Sequence, residues 1–317
     1  MNNFIDTFLS HPNNLKNFSF LKKDMYQNKN QNFYFEMKLI RTFEEKLLNL
    51  FEKNLIGGTT HTYIGQESNS TAIFDFINKQ EDIIWSNHRC HGHFISYCGK
   101  IIDLMAEIVG KKDGICNGRG GSQHLNYKNF YSNGILGGSL PQALGASYAI
   151  KDNKDAIAVV FIGDGTLGSG YLYETMNLAS LWSCPILFIC ENNFIAQTTP
   201  SKLTLSGEIS LRPKAFGIST YECYEYNIKD ISAISKKAIE EVRQERRPVF
   251  LEIGSVRLGP HSKGDDTRED ITIEKIKNLD PMVKIKNEID DFLKIDEMCA
   301  KIINKTFEIV NEFEDAE

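Results

Sequence analysis

The sequence predicts an α/β protein with a doubly wound, mostly parallel sheet that has helices on both faces. Short apolar runs of strand length, at 156–162, 186–190 and 249–253, alternate with longer segments of helical periodicity. The chain has 317 residues, 41% of them hydrophobic and 25% charged, which suits one large globular domain. Because no internal repeat is visible, this alternation favours one sheet in a single domain.

Helices dominate the predicted first half of the chain. Residues 1–30, rich in asparagine, are expected to form an N-terminal arm, and 31–317 the domain itself. Over 33–55 apolar residues recur at helical spacing, and a glycine pair ends the pattern. The elements expected next are a helix at 67–78, a strand at 82–85, a helix at 101–109, irregular glycine-rich backbone at 110–138 and a helix at 141–150.

The predicted second half is built around the three apolar strands. Each is short and continuously apolar, as buried parallel strands are. A helix at 168–182 connects the first strand to the second. The elements expected after these two strands are a strand region between 214 and 226, a helix at 231–245, the strand at 249–253 and amphipathic C-terminal helices from Asp280 to the acidic tail.

Charge and composition exclude several functional classes. The net charge of -6, without a basic cluster, gives no indication of nucleic-acid binding. No apolar run reaches the roughly 18 residues that spanning a membrane requires, and residues 1–20 lack the apolar core of a secretory signal. The seven cysteines are scattered and odd in number, which is typical of reduced thiols. We therefore expect a cytoplasmic protein.

The strongest chemical signal lies at the ends of two neighbouring strands. Gly163-Asp164-Gly165 follows the first strand of the pair, and Asn192-Asn193 follows the second. In an open parallel sheet, ligands bind outside the carboxyl ends of the strands, so these residues are expected to converge. Asp164 and Asn193 offer the hard oxygen ligands that Mg2+ takes together with phosphate oxygens. The glycines allow a diphosphate to approach the backbone and a helix N-terminus.

Two other interpretations of the same residues stay open at this point. Residues 163–168 also match G-x-G-x-x-G between a strand and a helix, and Glu191 lies where a dinucleotide site has its ribose-binding acid. Asp164 argues against NAD, because a carboxylate among phosphate-binding glycines repels a pyrophosphate unless a cation bridges them. The remaining interpretation is a tight glycine turn that binds no ligand.

Histidines supply the other candidates. Three of them in the segment 86–93 suggest a zinc site, but no cysteine or acidic residue has the spacing of a structural zinc site. Arg89 in the same segment is better suited to a phosphate, and a polar loop after a strand is a further interpretation. His261 lies in the glycine- and charge-rich segment 259–268, and a loop of that composition can order over a bound ligand.

Together these residues resemble the α subunit of thiamine-diphosphate-dependent 2-oxo acid dehydrogenase E1 components. The resemblance extends from about Phe33 to the C-terminal helix and implies the thiamine-diphosphate-binding fold. It rests on motifs in the family's order: His61, the segment Ser86–His93, the glycine-rich Gly118–His124, Asn133–Gly137, Gly163–Gly165 with Glu191–Asn193, and His261-Ser262.

The resemblance implies three sets of site residues. The metal ligands for Mg2+ would be Asp164, Asn193 and the backbone carbonyl of Ile195. The residues at the thiamine diphosphate would be His88 and Arg89, with the backbones of Gly134, Leu136, Gly163, Gly165 and Thr166. The catalytic residues would be His61, which lines the substrate pocket, and His261, which also contacts the cofactor phosphate.

The implied activity is decarboxylation of a 2-oxo acid, pyruvate or a short-chain analogue, with transfer of the acyl group to a lipoyl group on E2. A separate E1 β subunit supplies the glutamate that activates the cofactor, so we expect an α2β2 heterotetramer. The chain departs from the family at Thr166-Leu167-Gly168, and His88 stands where pyruvate enzymes often have tyrosine and acetoin dehydrogenases more often histidine. An acetoin dehydrogenase α subunit, or a non-oxidative lyase or carboligase, therefore stays open.

Overall fold

A computed structural model describes residues 25–262 and 266–316 as an α/β structure. The strands of this part of the chain are β1 (Ile83–Ser86), β2 (Asn126–Tyr127), β3 (Phe130–Ser132), β4 (Ala158–Gly163), β5 (Ile186–Asn192), β6 (Ile195–Ala196), β7 (Thr199–Pro200), β8 (Ser219–Cys223) and β9 (Val249–Gly254). Its helices are α1 (Lys29–Glu52), α2 (Glu67–Ile73), α3 (His91–Cys98), α4 (Ile101–Ile108), α5 (Ser139–Ala149), α6 (Gly170–Leu181), α7 (Leu211–Lys214), α8 (Ile228–Glu245), α9 (Asp270–Lys277), α10 (Pro281–Lys286) and α11 (Phe292–Asn311).

Seven strands form one sheet in the order β2-β3-β1-β4-β5-β9-β8. All neighbours are parallel except β2 and β3, which confirms the predicted doubly wound, mostly parallel sheet. The chain leaves β1 toward β3 on one side, whereas it leaves β4 toward β5 on the other. The carboxyl ends of β1 and β4 therefore flank a topological switch point, where open α/β sheets bind ligands.

The sheet separates two hydrophobic cores. Along β4, Val159 and Phe161 belong to the larger core beneath α1–α4, α8 and α11. The alternate residues Val160 and Ile162 belong to the smaller core beneath α5 and α6. Because β4 is buried on both faces, its sequence is continuously apolar rather than alternating.

Most predicted elements are present, with differences at their ends. Helix α1 begins at Lys29, where the Asn28 side chain accepts a hydrogen bond from the Asn30 amide at 2.9 Å. The predicted arm of residues 1–30 otherwise lies outside the described residues, as residues 1–24 are not described. The helix predicted at 67–78 ends earlier, at Ile73.

The sequence did not reveal seven elements: the helices α3, α7 and α9 and the short strand pairs β2–β3 and β6–β7. Seven of the eight residues of α3 are buried. Its sequence therefore does not alternate between an apolar and a polar face, and periodicity did not predict a helix. Helix α9 carries three isoleucines among eight residues, but it is short and none of its residues is buried.

The glycine-rich segment after α4 wraps around one buried carboxylate. Glu107 accepts four backbone hydrogen bonds of 2.6–3.0 Å, from the amides of Cys116, Gly118, Gly120 and Gly121. A carboxylate that accepts several backbone amides replaces the hydrogen bonds that regular structure would supply. The irregular backbone predicted for this part of the chain is present, and Glu107 explains its shape.

Within residues 25–262 and 266–316, no helix combines the length and apolar character needed to cross a membrane.

Candidate functional site

A cavity of about 260 Å³ lies outside the carboxyl ends of β1, β4 and β5. It occupies the switch point of the sheet, where a ligand is expected. Ten of the residues singled out from the sequence line it: His88, Arg89, Leu136, Gly163, Asp164, Gly165, Thr166, Asn193, Ile195 and His261. The structure therefore brings together segments that are up to 173 positions apart, from 88 to 261.

Asp164 lies at the base of this cavity, at the start of a short 3-10 turn after β4. Its side chain is buried, and Oδ2 has no hydrogen-bond partner among the described residues. Burial raises the pKa of the Asp164 carboxyl from 3.8 to about 6, although the backbone amides of Asp164 and Gly165 and the charges of Arg257 and Arg89 act in the opposite direction. A buried carboxylate oxygen without a donor is suited to a cation.

Asn193, the second candidate oxygen ligand, follows β5. Strand β5 pairs with β4, and Gly163 lies opposite Glu191. Asn193 Oδ1 accepts a hydrogen bond from the Ile195 amide at 3.3 Å. The chain then turns through Phe194, at φ 63°, into the hairpin β6–β7. This hairpin lies against the β4 turn, since a Cβ on Gly165 would be 3.0 Å from the Ala196 Cβ.

Two buried arginines place positive charge at this site, Arg89 in the cavity wall and Arg257 near Asp164. Arg89 donates to the Thr62 carbonyl at 2.7 Å and to His261 Nδ1 at 3.1 Å. Arg257 follows β9, and its charge lowers the pKa of both Asp164 and His88. The positive charge of the two guanidiniums is suited to an anionic group such as a diphosphate. The sequence interpretation identified Arg89 but not Arg257.

Three histidines meet at the cavity: His88 and His261 line it, whereas His61, predicted to line it, packs behind these two rings. The ring of His61 lies edge-on to His88, with centroids 4.6 Å apart, and edge-on to His261 at 4.7 Å. Their nearest nitrogens lie within 4.8 Å of one another. Burial, followed by the charge of Arg89 and the two other histidines, lowers the pKa of His88 well below 6.5, so His88 is neutral. Its Nδ1 is buried without a hydrogen-bond partner in the described chain.

The histidines of the segment 86–93 do not share one site. His91 lies between Glu44, 3.0 Å from Nδ1, and the Ser122 hydroxyl, 2.8 Å from Nε2. His93 lies on the core side, where Nδ1 is 2.8 Å from the Ser86 hydroxyl. Of these three histidines only His88 reaches the cavity. The zinc interpretation, which grouped the three as ligands of one metal, is therefore wrong.

The residues expected at an aminopyrimidine lie on the segment before α5. Leu136 lines the cavity and is half exposed, whereas Gly134 does not line it. Gly134 packs against Gln123, whose Nε2 is 3.1 Å from Nδ1 of His61. A Cβ on Gly134 would lie 2.2 Å from Gln123 Oε1, so a side chain there would displace Gln123 from its position beside His61.

Sequence reasoning missed several residues of the cavity wall, namely Gln66, Asn87 and the hairpin residues 196–199. It also assigned Glu191 a different role. The Glu191 carboxylate accepts hydrogen bonds from the Tyr63 hydroxyl and from Asn69 Nδ2, the latter at 3.0 Å. These contacts join segments that are distant along the chain, and no local pattern in the sequence predicts them.

The geometry disfavours a dinucleotide. The third glycine of the G-x-G-x-x-G fingerprint serves close packing of helix on strand, but a Cβ on Gly168 would meet nothing within 4 Å. Glu191, the expected ribose ligand, is engaged by Tyr63 and Asn69. The cavity instead offers oxygen donors beside two arginines, which together suit a divalent cation bridging to a diphosphate.

The sequence of this chain is similar to those of known proteins. The family model described as dehydrogenase E1 component matches residues 35–314. The chain is similar to the pyruvate dehydrogenase E1 component subunit alpha of Rickettsia conorii, with 34% identity over 285 residues that cover 87% of each chain. The subunit alpha of Rhizobium meliloti is 31% identical over 86% of this chain and 76% of its own length. The mitochondrial subunit alpha of Dictyostelium discoideum is 31% identical over 90% and 80%, respectively.

Proposed function

This chain belongs to the dehydrogenase E1 component family, and we propose that it is the α subunit of a 2-oxo acid dehydrogenase that uses thiamine diphosphate and Mg2+. Pyruvate or a short-chain analogue is the proposed substrate, and a lipoyl group on E2 the acceptor. The observation that supports the cofactor most strongly is the buried Asp164 Oδ2, which lacks a donor beside two buried arginines. The relatives named as pyruvate dehydrogenase subunits support the choice of substrate.

Asp164 and Asn193 would hold the cation, together with the backbone carbonyl of Ile195. Arg89 and Arg257 would bind the diphosphate, which approaches the backbone of the turn that starts at Asp164. Gly165 lies so close to the β6–β7 hairpin that a side chain there would be 3.0 Å from the Ala196 Cβ and would displace the hairpin. Electrostatic interactions between these charges are stronger in the buried site than at the surface. The metal and the diphosphate should therefore favour each other's binding.

When bound, thiamine diphosphate supplies a thiazolium that accepts the electron pair released as a 2-oxo acid loses CO2. The protein positions the substrate and manages protons. His88 is neutral, so its Nδ1 can donate or accept a hydrogen bond at the substrate without repelling the metal. His61 and His261 lie against it and complete a polar wall that can hold a proton near a developing alkoxide.

We propose that a β subunit covers the open side of this cavity and that the assembly is α2β2. Leu136, which lines the cavity, and its neighbour Ile135 are exposed apolar side chains. More are exposed on α5 and around the end of α6, where Tyr148 contacts Trp182 with ring centroids 5.4 Å apart. Exposed apolar patches of this kind mark protein interfaces.

The test is reduction of an artificial electron acceptor by the chain co-expressed with a candidate β subunit, supplied with thiamine diphosphate, Mg2+ and pyruvate. We expect reduction with pyruvate, and transfer to a lipoyl domain when E2 replaces the dye. Turnover of the substrate without any electron transfer would identify a lyase or carboligase on the same scaffold. Binding of neither thiamine diphosphate nor metal would contradict the proposal, and NAD would then be tested.

A further inference from the structure

We propose that Gln66 is a positioning residue for the metal: it turns the side-chain amide of Asn193 so that Oδ1, and not Nδ2, faces the cation beside Asp164. This inference rests on the proposed function, because it assumes the magnesium site at the ends of β4 and β5. Gln66 lies immediately before α2, more than 120 positions from Asn193, and it lines the cavity.

The orientation of the Asn193 amide decides whether it can bind a cation. The two ends of a carboxamide have nearly the same shape but opposite polarity, so packing alone does not choose between them. With Oδ1 toward the metal the side chain is a ligand, whereas with Nδ2 toward it the amide repels the ion. A hydrogen-bond partner of fixed polarity at the other end is needed to select the productive orientation.

Gln66 supplies that partner. Asn193 Nδ2 donates to Gln66 Oε1 at 3.3 Å, while Asn193 Oδ1 accepts from the Ile195 amide at 3.3 Å. Both contacts specify the same orientation of the Asn193 side chain. The Ile195 contact is local to the turn after β5, and the Gln66 contact is the one that links the turn to another part of the fold.

A second group donates to the same end of the Gln66 amide. The Ser255 hydroxyl donates to the same Gln66 Oε1 at 3.3 Å, so two donors converge on this oxygen. Both Gln66 and Ser255 are buried. With both groups donating, the carbonyl end of the Gln66 amide is the end that faces them.

The backbone around Gln66 is held tightly enough for this role. Gly65, at φ 99°, packs directly on the Val256 carbonyl, where no side chain fits. The Leu258 amide donates to the Ile64 carbonyl at 3.3 Å. The segment before α2 therefore lies against the segment after β9, and Gln66 cannot move away without breaking these contacts.

A purely structural role for Gln66 makes a different prediction. If Gln66 only fills space, its substitution should lower the stability of the fold. The metal affinity of the protein that remains folded should then be unchanged. If it orients Asn193, the loss should appear in the affinity for the metal. Loss of a hydrogen-bond partner behind a metal ligand lowers metal affinity by about 10–100-fold.

The experiment uses the full chain assembled with its β subunit and titrates Mn2+ as the probe, with thiamine diphosphate present. Free Mn2+ is read from its electron paramagnetic resonance signal, which does not depend on turnover. The variants are Q66M, which has similar length without an acceptor, Q66E, which keeps an acceptor oxygen, and S255A, which removes the other donor to Gln66. Thermal unfolding without metal reports on stability for each variant.

We expect Q66M to bind Mn2+ at least about tenfold more weakly than the wild type, with Q66E and S255A within about threefold of it. The unfolding temperatures without metal should not follow this order. Wild-type affinity in Q66M would overturn the inference, as would an equal loss in S255A. Absence of Mn2+ binding in the wild type itself would instead contradict the proposed function.

Discussion

Replacing Asp164 by asparagine should stabilise the protein when metal is absent. The folded state raises the pKa of the Asp164 carboxyl from 3.8 to about 6 because the group is buried. The folded protein thus holds this proton more tightly than the unfolded chain does, so stability falls as the pH rises from about 4 through 6. A shift of roughly two units corresponds to about 3 kcal/mol, which is the full penalty above the folded-state pKa.

D164N removes this penalty because an amide does not ionise and can still accept the backbone hydrogen bonds. In a chelator, the free energy of unfolding of D164N should exceed that of the wild type by up to about 3 kcal/mol at about pH 8, with little difference near pH 4. Addition of Mg2+ and thiamine diphosphate should remove most of this difference. Ligands at 100 times their dissociation constant stabilise the wild type by about 2.7 kcal/mol, and D164N should gain little of this.

The assay is equilibrium urea unfolding of both proteins at the two pH values, with and without the ligands. D155N, which changes an exposed carboxylate before β4, is the matched control and should resemble the wild type throughout. The reasoning is refuted if metal-free D164N is no more stable than the wild type at the higher pH. It is equally refuted if D164N gains as much stability from Mg2+ and cofactor as the wild type does.

Three further predictions concern the glycine-rich segment, the diphosphate and the turn after β4. E107A leaves four backbone amides without their acceptor, so urea unfolding should show a loss of more than about 3 kcal/mol, against almost none for E245A at an exposed position. R89K loses the fixed fork that reaches both Thr62 and His261, so calorimetry should show cofactor binding weakened more than about tenfold, whereas R247K on the surface should bind normally. G165A pushes a methyl group against Ala196 and should weaken cofactor binding by about tenfold, while G168A, which meets nothing within 4 Å, should bind cofactor like the wild type.

The sequence revealed those parts of the site that lie at strand ends. Continuous apolar runs located β4 and β5, and the parallel arrangement of such strands correctly predicted that Asp164 lies near Asn193. The same argument located Arg89, which comes after β1. A site built from strand termini is predictable because each strand fixes the position and the direction of the residues at its carboxyl end.

Contacts that join distant segments were not predictable in this way. Gln66 lines the cavity, and Arg257 lies near Asp164, because the segment after β9 packs against the segment before α2. Glu107 shapes the glycine-rich segment through side-chain contacts with the backbone, for which the sequence has no periodic signal. The gathering of His61, His88 and His261 likewise depends on the tertiary fold, whereas the sequence grouped histidines by proximity along the chain.

Calorimetric titration with thiamine diphosphate tests the central claim most directly, on the chain assembled with its β subunit and in the presence of Mg2+. The wild type should bind the cofactor, binding should disappear when a chelator removes the metal, and D164A should not bind under either condition. Binding that needs no metal, or that survives in D164A, would contradict a magnesium–diphosphate site at the ends of β4 and β5.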